Sequence, residues 1–471
     1  MRHAKIVCTM GPTSSDEKTI GHMIKAGMNC ARLNFSHGTH EAHGKMYSKI
    51  RKVAKSLDRS VAILQDLQGP KIRTGLLERG VPVLLVNGEK IWITTRDVAG
   101  TVDRISTSYK NIVNDVKKGS RVLIDDGRLE LKVLKVEKEQ FFSEVVVGGV
   151  LNQNKGINLP GVDVSAPSVS KRDMKDLEFG LKLGVDFVAL SFVRQASDIL
   201  KVRKVIAKYP HVKIIAKIER PEAIDNLESI LDVTDGVMVA RGDLGVETDP
   251  HRVAILQKEI ITMANQKNKF VITATHMLES MITNPRPTRA EVSDVSNAIY
   301  DGSDAVMLSG ETANGMYPVQ TIKFMSNIVA EVEMDIIKNH VHRRHSKHDE
   351  KMTPAEALVS AACFAAKALR GPCMTIYTRS GQTAWNISNG RPYTRIVVFT
   401  SEEETYHSLS LAWGVHPIKV KILKKLDSLY ENGMSIIKEK NLVKKGETVV
   451  MIAGTALTEG SSNTISFRTC V

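Results

Sequence analysis

Lys213–Glu219, KIIAKIE, and the stretch from Gly236, GVMVARGDLG, decide how this chain is read. The first run is apolar, β-branched and bounded by charge, which predicts a buried strand. Side chains alternate along a strand, so Lys217 and Glu219 project to the same side. An ammonium and a carboxylate closing an apolar strand are costly to bury unless they bind something. The second run closes in the same way at Asp243, and Gly242 lets the backbone approach a ligand there. Two carboxylates and an ammonium at neighbouring strand ends point to a hard divalent cation beside a phosphate. The plain alternative is surface charge at two loop starts.

Outward from these runs, the same design recurs. Candidate strands are Lys5–Met10, Met28–Phe35, Val61–Leu67, Phe187–Phe192, Lys213–Glu219, Gly236–Asp243, Phe270–Met277 and Ala305–Glu311, most followed by a helical stretch. This rhythm predicts an α/β fold, a (β/α)8 TIM barrel, with a doubly wound sheet as the structural alternative. Between Gly69 and Ser168 the rhythm stops, and short runs such as VPVLLV and KIWITT alternate with Gly, Asn and Asp. That predicts an inserted β-rich lid domain at the catalytic end of the third strand. From Thr353 onward, CMTIYT, RIVVFT, IKVKIL and VVMIAG alternate with helices, as in a C-terminal open α/β sheet domain. The expected units are a barrel of 1–69 and 169–335, a lid of 70–168 and a regulatory domain of 353–471.

Composition narrows the function classes. Hydrophobic residues at 42% and charged residues at 25% suit a soluble globular protein, and no apolar run is long enough to span a membrane. No signal peptide is recognisable, and the five cysteines are odd in number and lack metal-ligand spacing, so reduced thiols in a cytoplasmic protein are expected. A net charge of +13 fits a nucleic-acid partner or an enzyme for anionic substrates; 5% aromatic content and dispersed basic residues favour the enzyme. The tract around His342, His345 and His348 reads as a linker or solvated helix, with a metal site as the minor reading.

Active sites of such barrels lie at the C-terminal strand ends. Polar residues collect there: Arg32 to His37, Gln65 to Arg73, Lys217 and Glu219, Asp243, Thr273 to His276, and Ser309 to Thr312. Glu219 and Asp243 suit Mg2+ or Mn2+, while Lys217, Arg32 and Arg73 can neutralise phosphate charge. This inventory fits phosphoryl transfer. No GxxxxGK[ST] loop is present, so a nucleotide would bind on the barrel rim.

The chain resembles the pyruvate kinases. The resemblance is carried by ARLNFSHG at Ala31–Gly38, QDLQGPKIRTG at Gln65–Gly75, KGINLPG at Lys155–Gly161 and AKIERPEAI at Ala216–Ile224. VARGDLGVE at Val239–Glu247, the long run Thr273–Ile299 and LSGETA at Leu308–Ala313 complete it. It implies conversion of phosphoenolpyruvate and ADP to pyruvate and ATP, with a divalent cation. It assigns Lys217 to the phosphoryl group in flight, Arg32 to the phosphate of phosphoenolpyruvate, and Glu219 and Asp243 to the metal. Thr275 falls near the enolate carbon, Gly242 and Asp243 offer N–H groups to the substrate carboxylate, and Arg73, His37 and Asn34 lie on the nucleotide side.

Family members that need K+ hold it with residues matching Asn34, Ser36 and Asp66 and a carbonyl at Leu67. They usually carry Glu where this chain has Lys71, so the resemblance is to the branch that does not require K+. A lysine ammonium can replace the monovalent charge. His276 and Asn314 also depart from the usual residues and are expected to tune activity. Ser380 and Thr383 match a segment that holds an effector phosphate, with 454–462 as a second wall. A homotetramer is implied. The competing enzyme is a metal-dependent pyruvate-enolate lyase or aldolase on a TIM barrel.

Overall fold

The computed structural model describes residues 2–339, 352–421, 425–454 and 462–471. Eight parallel strands close into one barrel: β1 (Lys5–Thr9), β2 (Cys30–Asn34), β3 (Ala62–Asp66), β4 (Phe187–Leu190), β5 (Lys213–Ile218), β6 (Gly236–Ala240), β7 (Phe270–Ala274) and β8 (Ala305–Leu308). Each pairs with its sequence neighbours, and β1 closes the ring against β8. Strands covered on both faces should read as unbroken apolar runs, and β1, β3, β4, β6, β7 and β8 are buried along their whole length. The helices between them carry clear start signals. Asp16 caps Glu17–Ala26, and Ser170 and Thr288 form capping boxes for Lys171–Leu183 and Arg289–Tyr300.

Strands β6, β7 and β8 stop short of the polar residues that the expected spans included. After β6 the chain turns at once into the helix Arg241–Glu247, so Asp243 sits in a first helical turn. After β8, Glu311 likewise lies in the helix Gly310–Ala313. After β7, Thr275 and His276 both adopt left-handed backbone, with φ of 70° and 53°. The polar rim thus draws both on strand ends, at Arg32, Asn34, Asp66 and Lys217, and on the turns beyond β6, β7 and β8.

The insertion forms a seven-stranded sheet and a two-stranded ribbon around Ile91, Ile93, Val122, Leu131 and Phe141. Its first and last sheet strands, Ile72–Arg73 and Gly156–Asn158, pair antiparallel with Ile72 opposite Ile157. Among the described residues the C-terminal sheet has five strands, four parallel and one antiparallel. The antiparallel strand, Ser462–Thr469, was not among the expected elements. The strand expected at IKVKIL instead runs Val415–Lys419. Residues 342, 345 and 348 lie outside the described residues.

The N-terminal end of the barrel is ionic. Asp186 meets Arg51 at 2.8 Å and accepts the Ile63 N–H at 2.6 Å. Asp304 meets Arg391 of the C-terminal domain at 2.8 Å and accepts the Val271 N–H at 2.7 Å. Buried Lys5 donates to the Val415 carbonyl at 2.6 Å, joining the barrel to the C-terminal sheet. Among the described residues no helix is long and apolar enough to cross a membrane.

Candidate active site

Strand alternation on β5 carries Lys217 and then Glu219 to the rim, where both are buried. The Lys217 ammonium lies 2.8 Å from Glu219 Oε1 and 3.4 Å from Asp66 Oδ1, and donates to Ser191 Oγ at 2.8 Å. Burial by itself would lower this ammonium; the Asp66 and Glu219 carboxylates reverse that and hold it above its usual range. Asp66 is also buried, which opposes its charge, yet Lys217 and Arg32 bring its carboxyl below the ordinary range. Arg32 grips Asp66 through Nε at 2.7 Å and also donates to Thr9 at 2.9 Å. Burial raises the Glu219 carboxyl, and Asp243 adds to the rise.

The donor set fits a divalent cation. Glu219 is fully buried, its Oε2 accepts the Phe192 N–H at 2.7 Å, and its Oε1 has no hydrogen-bond partner beyond the ion pair with Lys217. Asp243 is partly open to solvent and 3.7 Å from the Lys71 ammonium. No cluster of three or more metal-ligating side chains occurs among the described residues. Two carboxylates completed by water and substrate oxygens are typical of Mg2+.

Thr275 continues the rim two strands on, just beyond β7. Its Oγ1 accepts the Gly242 N–H at 2.8 Å and donates to the Ala274 carbonyl at 2.6 Å. A β-branched residue at φ 70° is strained, and such strain collects at functional positions. Gly242 was expected for close backbone approach; a Cβ there would make ordinary contact with Thr275 at 3.5 Å, so the N–H is its more telling feature.

The remaining expected residues fall into two groups. On the rim, Asn34 Oδ1 accepts the Ser36 N–H at 3.2 Å, and the Leu67 carbonyl accepts the Ser191 hydroxyl at 2.7 Å. His37 is exposed; its partial burial and the charges of Arg73, Arg32 and Lys71 push its imidazole down. Arg73 donates to the Asn154 carbonyl across the lid at 3.0 Å. Lys71 is paired with Asp243, whereas the ion pairs of Asp66 are with Arg32 and Lys217. Away from the reaction rim, Thr273 is buried in the wall against Ser303 at 2.7 Å. Glu311 accepts the Leu278 and Ser309 N–H groups at 3.1 and 2.7 Å, which orders the rim.

Ser380 and Thr383 flank the start of the C-terminal helix Gln382–Asn389, beyond Gly381 at φ 82°. Of the second wall, residues 455–461 lie outside the described residues. Sequence reasoning missed Ser191. It stands directly after β4, and the rule that gathered polar residues at strand ends would have found it.

Comparison with known proteins bears directly on this arrangement. The family model "Pyruvate kinase, barrel domain" matches residues 1–322, and "Pyruvate kinase, alpha/beta domain" matches residues 356–466. The chain belongs to the pyruvate kinase family. Pyruvate kinases of Staphylococcus aureus strains MRSA252 and USA300 are each 44% identical over 467 residues, covering 98% of this chain and 80% of theirs. The crystal structure of a pyruvate kinase from Cryptosporidium parvum superposes with a TM-score of 0.91 at 37% identity, covering 100% of this chain and 96% of that one. The chain is therefore a phosphotransferase of pyruvate kinase type, and the lyase alternative is not favoured. Its family uses a divalent cation, phosphoenolpyruvate and ADP.

Proposed function

We propose that this rim divides the family's reaction among the residues just described. An oxygen of the ADP β-phosphate attacks the phosphorus of phosphoenolpyruvate, and the bond to the enol oxygen breaks. ATP forms, and the pyruvate enolate takes a proton at its methylene carbon. Arg32 and Lys217 hold the phosphoryl oxygens, and Lys217 stays charged throughout because Asp66 and Glu219 face it. Glu219 and Asp243 would hold Mg2+ or Mn2+, which when bound neutralises substrate oxygens. The substrate carboxylate takes the N–H groups of Gly242 and Asp243, and the Gly242–Thr275 bond opens to receive it. Thr275 Oγ1, released, stands in the proton path to the enolate carbon. Asn34, His37 and Arg73 receive the nucleotide from the barrel and lid sides.

Lys71 supplies the charge that K+ provides elsewhere, and the cluster Asn34, Ser36, Asp66 and Leu67 works without that ion. Its support is the Lys71 ammonium at the mouth of the site, near enough to Asp243 and His37 to act on both. Ser380 and Thr383 receive a phosphorylated effector, the assembly is a homotetramer and the location is cytoplasmic. The units 1–69 with 169–335, 70–168 and 353–471 carry catalysis, closure and regulation respectively.

The observation that carries the assignment of roles is the buried Lys217 ammonium between Glu219, Asp66 and Ser191. The test is pyruvate formation from phosphoenolpyruvate and ADP with Mg2+, without K+ and then with it. Equal turnover in both buffers is expected. Turnover only after K+ is added would remove the role given to Lys71 and leave the others standing.

A further inference from the structure

The helix Arg241–Glu247 carries Asp243 in its first turn and ends on Glu247. Each part is met by a residue of the lid. Lys71 precedes the lid's first strand and reaches Asp243 at 3.7 Å. Asn158 ends the strand paired with it, and its Nδ2 donates to Glu247 Oε1 at 2.8 Å. The antiparallel pairing of Ile72 with Ile157 brings Lys71, just before the first strand, towards Asn158 at the end of the other. Lys71 packs over the start of that strand, since a Cβ on Gly156 would lie 3.0 Å from Lys71 Cε.

Lys71, Asn158 and Glu247 line one cavity between lid and barrel, together with Phe192, Arg194 and Arg220. Glu247 and Asn158 are both buried, and Glu247 Oε2 and Asn158 Oδ1 have no hydrogen-bond partner. Arg220 stands 3.9 Å from Glu247 and donates to the Val162 carbonyl at 3.2 Å, while Arg194 donates to Val164 and Ala166. The returning lid segment is thus tied to the barrel beside this helix. A buried carboxylate with one oxygen unmet is costly to keep for packing alone.

We infer that Asn158 and Glu247 are positioning residues for the divalent cation: their hydrogen bond fixes the helix that presents Asp243 and makes it move with the lid. This rests on the reading that Asp243 and Glu219 hold the cation. Partners that orient a ligand from outside commonly change metal affinity by about 10- to 100-fold. Here the lever is a seven-residue helix, met in its first turn by Lys71 just before one lid strand and at its end by Asn158 of the strand paired with it.

The test is equilibrium binding of Mn2+ to the full chain without substrates, read from the electron-paramagnetic signal of the free ion. Asn158→Ala and Glu247→Ala should each weaken Mn2+ by about tenfold. Glu247→Gln, which keeps an acceptor for Asn158, should stay within about twofold of the parent. The double variant should be no weaker than either single one, because both remove one shared bond. Unchanged affinity in Asn158→Ala and Glu247→Ala overturns the inference. So does equal weakening in Glu247→Gln and Glu247→Ala, which would make the charge and not the bond responsible. If Asn158→Ala does not fold, the two Glu247 variants decide alone. Asp243→Asn serves as the separate control: loss of Mn2+ there, with no effect at Asn158 and Glu247, leaves the metal site intact and removes only the coupling. Undiminished binding in Asp243→Asn removes the metal reading itself.

Discussion

At the N-terminal end of the barrel, Asp186 and Asp304 are each closed by an arginine at 2.8 Å and a backbone N–H. At the C-terminal end, Lys217 faces two carboxylates, Asp243 is partly open, and Thr275 and His276 hold left-handed backbone. One set of eight strands supports both ends. The difference is therefore in the turns. The lower ones shut each carboxylate away with an arginine, and the upper ones leave Asp243 within reach of solvent and hold a β-branched residue in strained backbone. Buried charge by itself does not mark a site, and neither does an oxygen without a hydrogen bond, since Asp304 Oδ1 and Glu219 Oε1 share that feature; solvent access beside strained backbone does.

The largest blow to this contrast falls on the upper end. Lys217→Met should lower kcat by about 10³-fold, the scale seen when one preorganised stabiliser of developing charge is lost, and steady-state pyruvate formation measures it. A loss of only a few fold would mean that the upper ion pairs are as structural as the lower ones. Next comes Arg51→Met at the lower end, which leaves Asp186 buried without its cation. It should reduce stability by about 3 kcal/mol, read by urea unfolding, with kcat of the folded fraction unchanged. A fall in kcat would show that the two ends are coupled.

Lys5 sharpens the comparison through pH. Burial lowers its amine from the ordinary 10.5 to about 7. Below about 7 the amine is charged in folded and unfolded chains alike, and the full burial penalty applies. As pH rises from about 7 towards 10.5, the folded chain sheds the proton first, so this group's contribution to stability rises through that window. Lys5→Met should flatten that rise in unfolding curves taken across the window; an unaltered slope would assign it to other groups. The smallest effect is expected at Thr275→Asn. Asn tolerates left-handed backbone, so about 1 kcal/mol of strain should be relieved and the melting midpoint should rise, while pyruvate formation slows. A lower midpoint would show that the Thr275 hydroxyl bonds outweigh the strain.

The barrel and the order of its strands were legible because each strand is an apolar run ended by polar residues, as in KIIAKIE. The residues proposed to hold metal and phosphate stood out for the same reason, because charge at an apolar strand end is conspicuous. The strand limits were not, since Arg241-Gly242-Asp243 continues the pattern of β6 while the backbone has already turned helical. Ser462–Thr469 was missed because its Ser, Asn and Thr residues break any apolar run, and pairing with Thr448–Gly454 supplies what composition does not. The bond between Asn158 and Glu247 joins residues 89 positions apart, and neither carries a local signal of the other.

The pairing of Ile72–Arg73 with Gly156–Asn158 has a mechanical consequence. Where a single strand would let an inserted domain swivel, two hydrogen-bonded strands form a strap. A strap bends readily across its face and resists twisting about its length. The lid should then travel on an arc, one coordinate rather than several, and return to the same seat over the rim after each turnover.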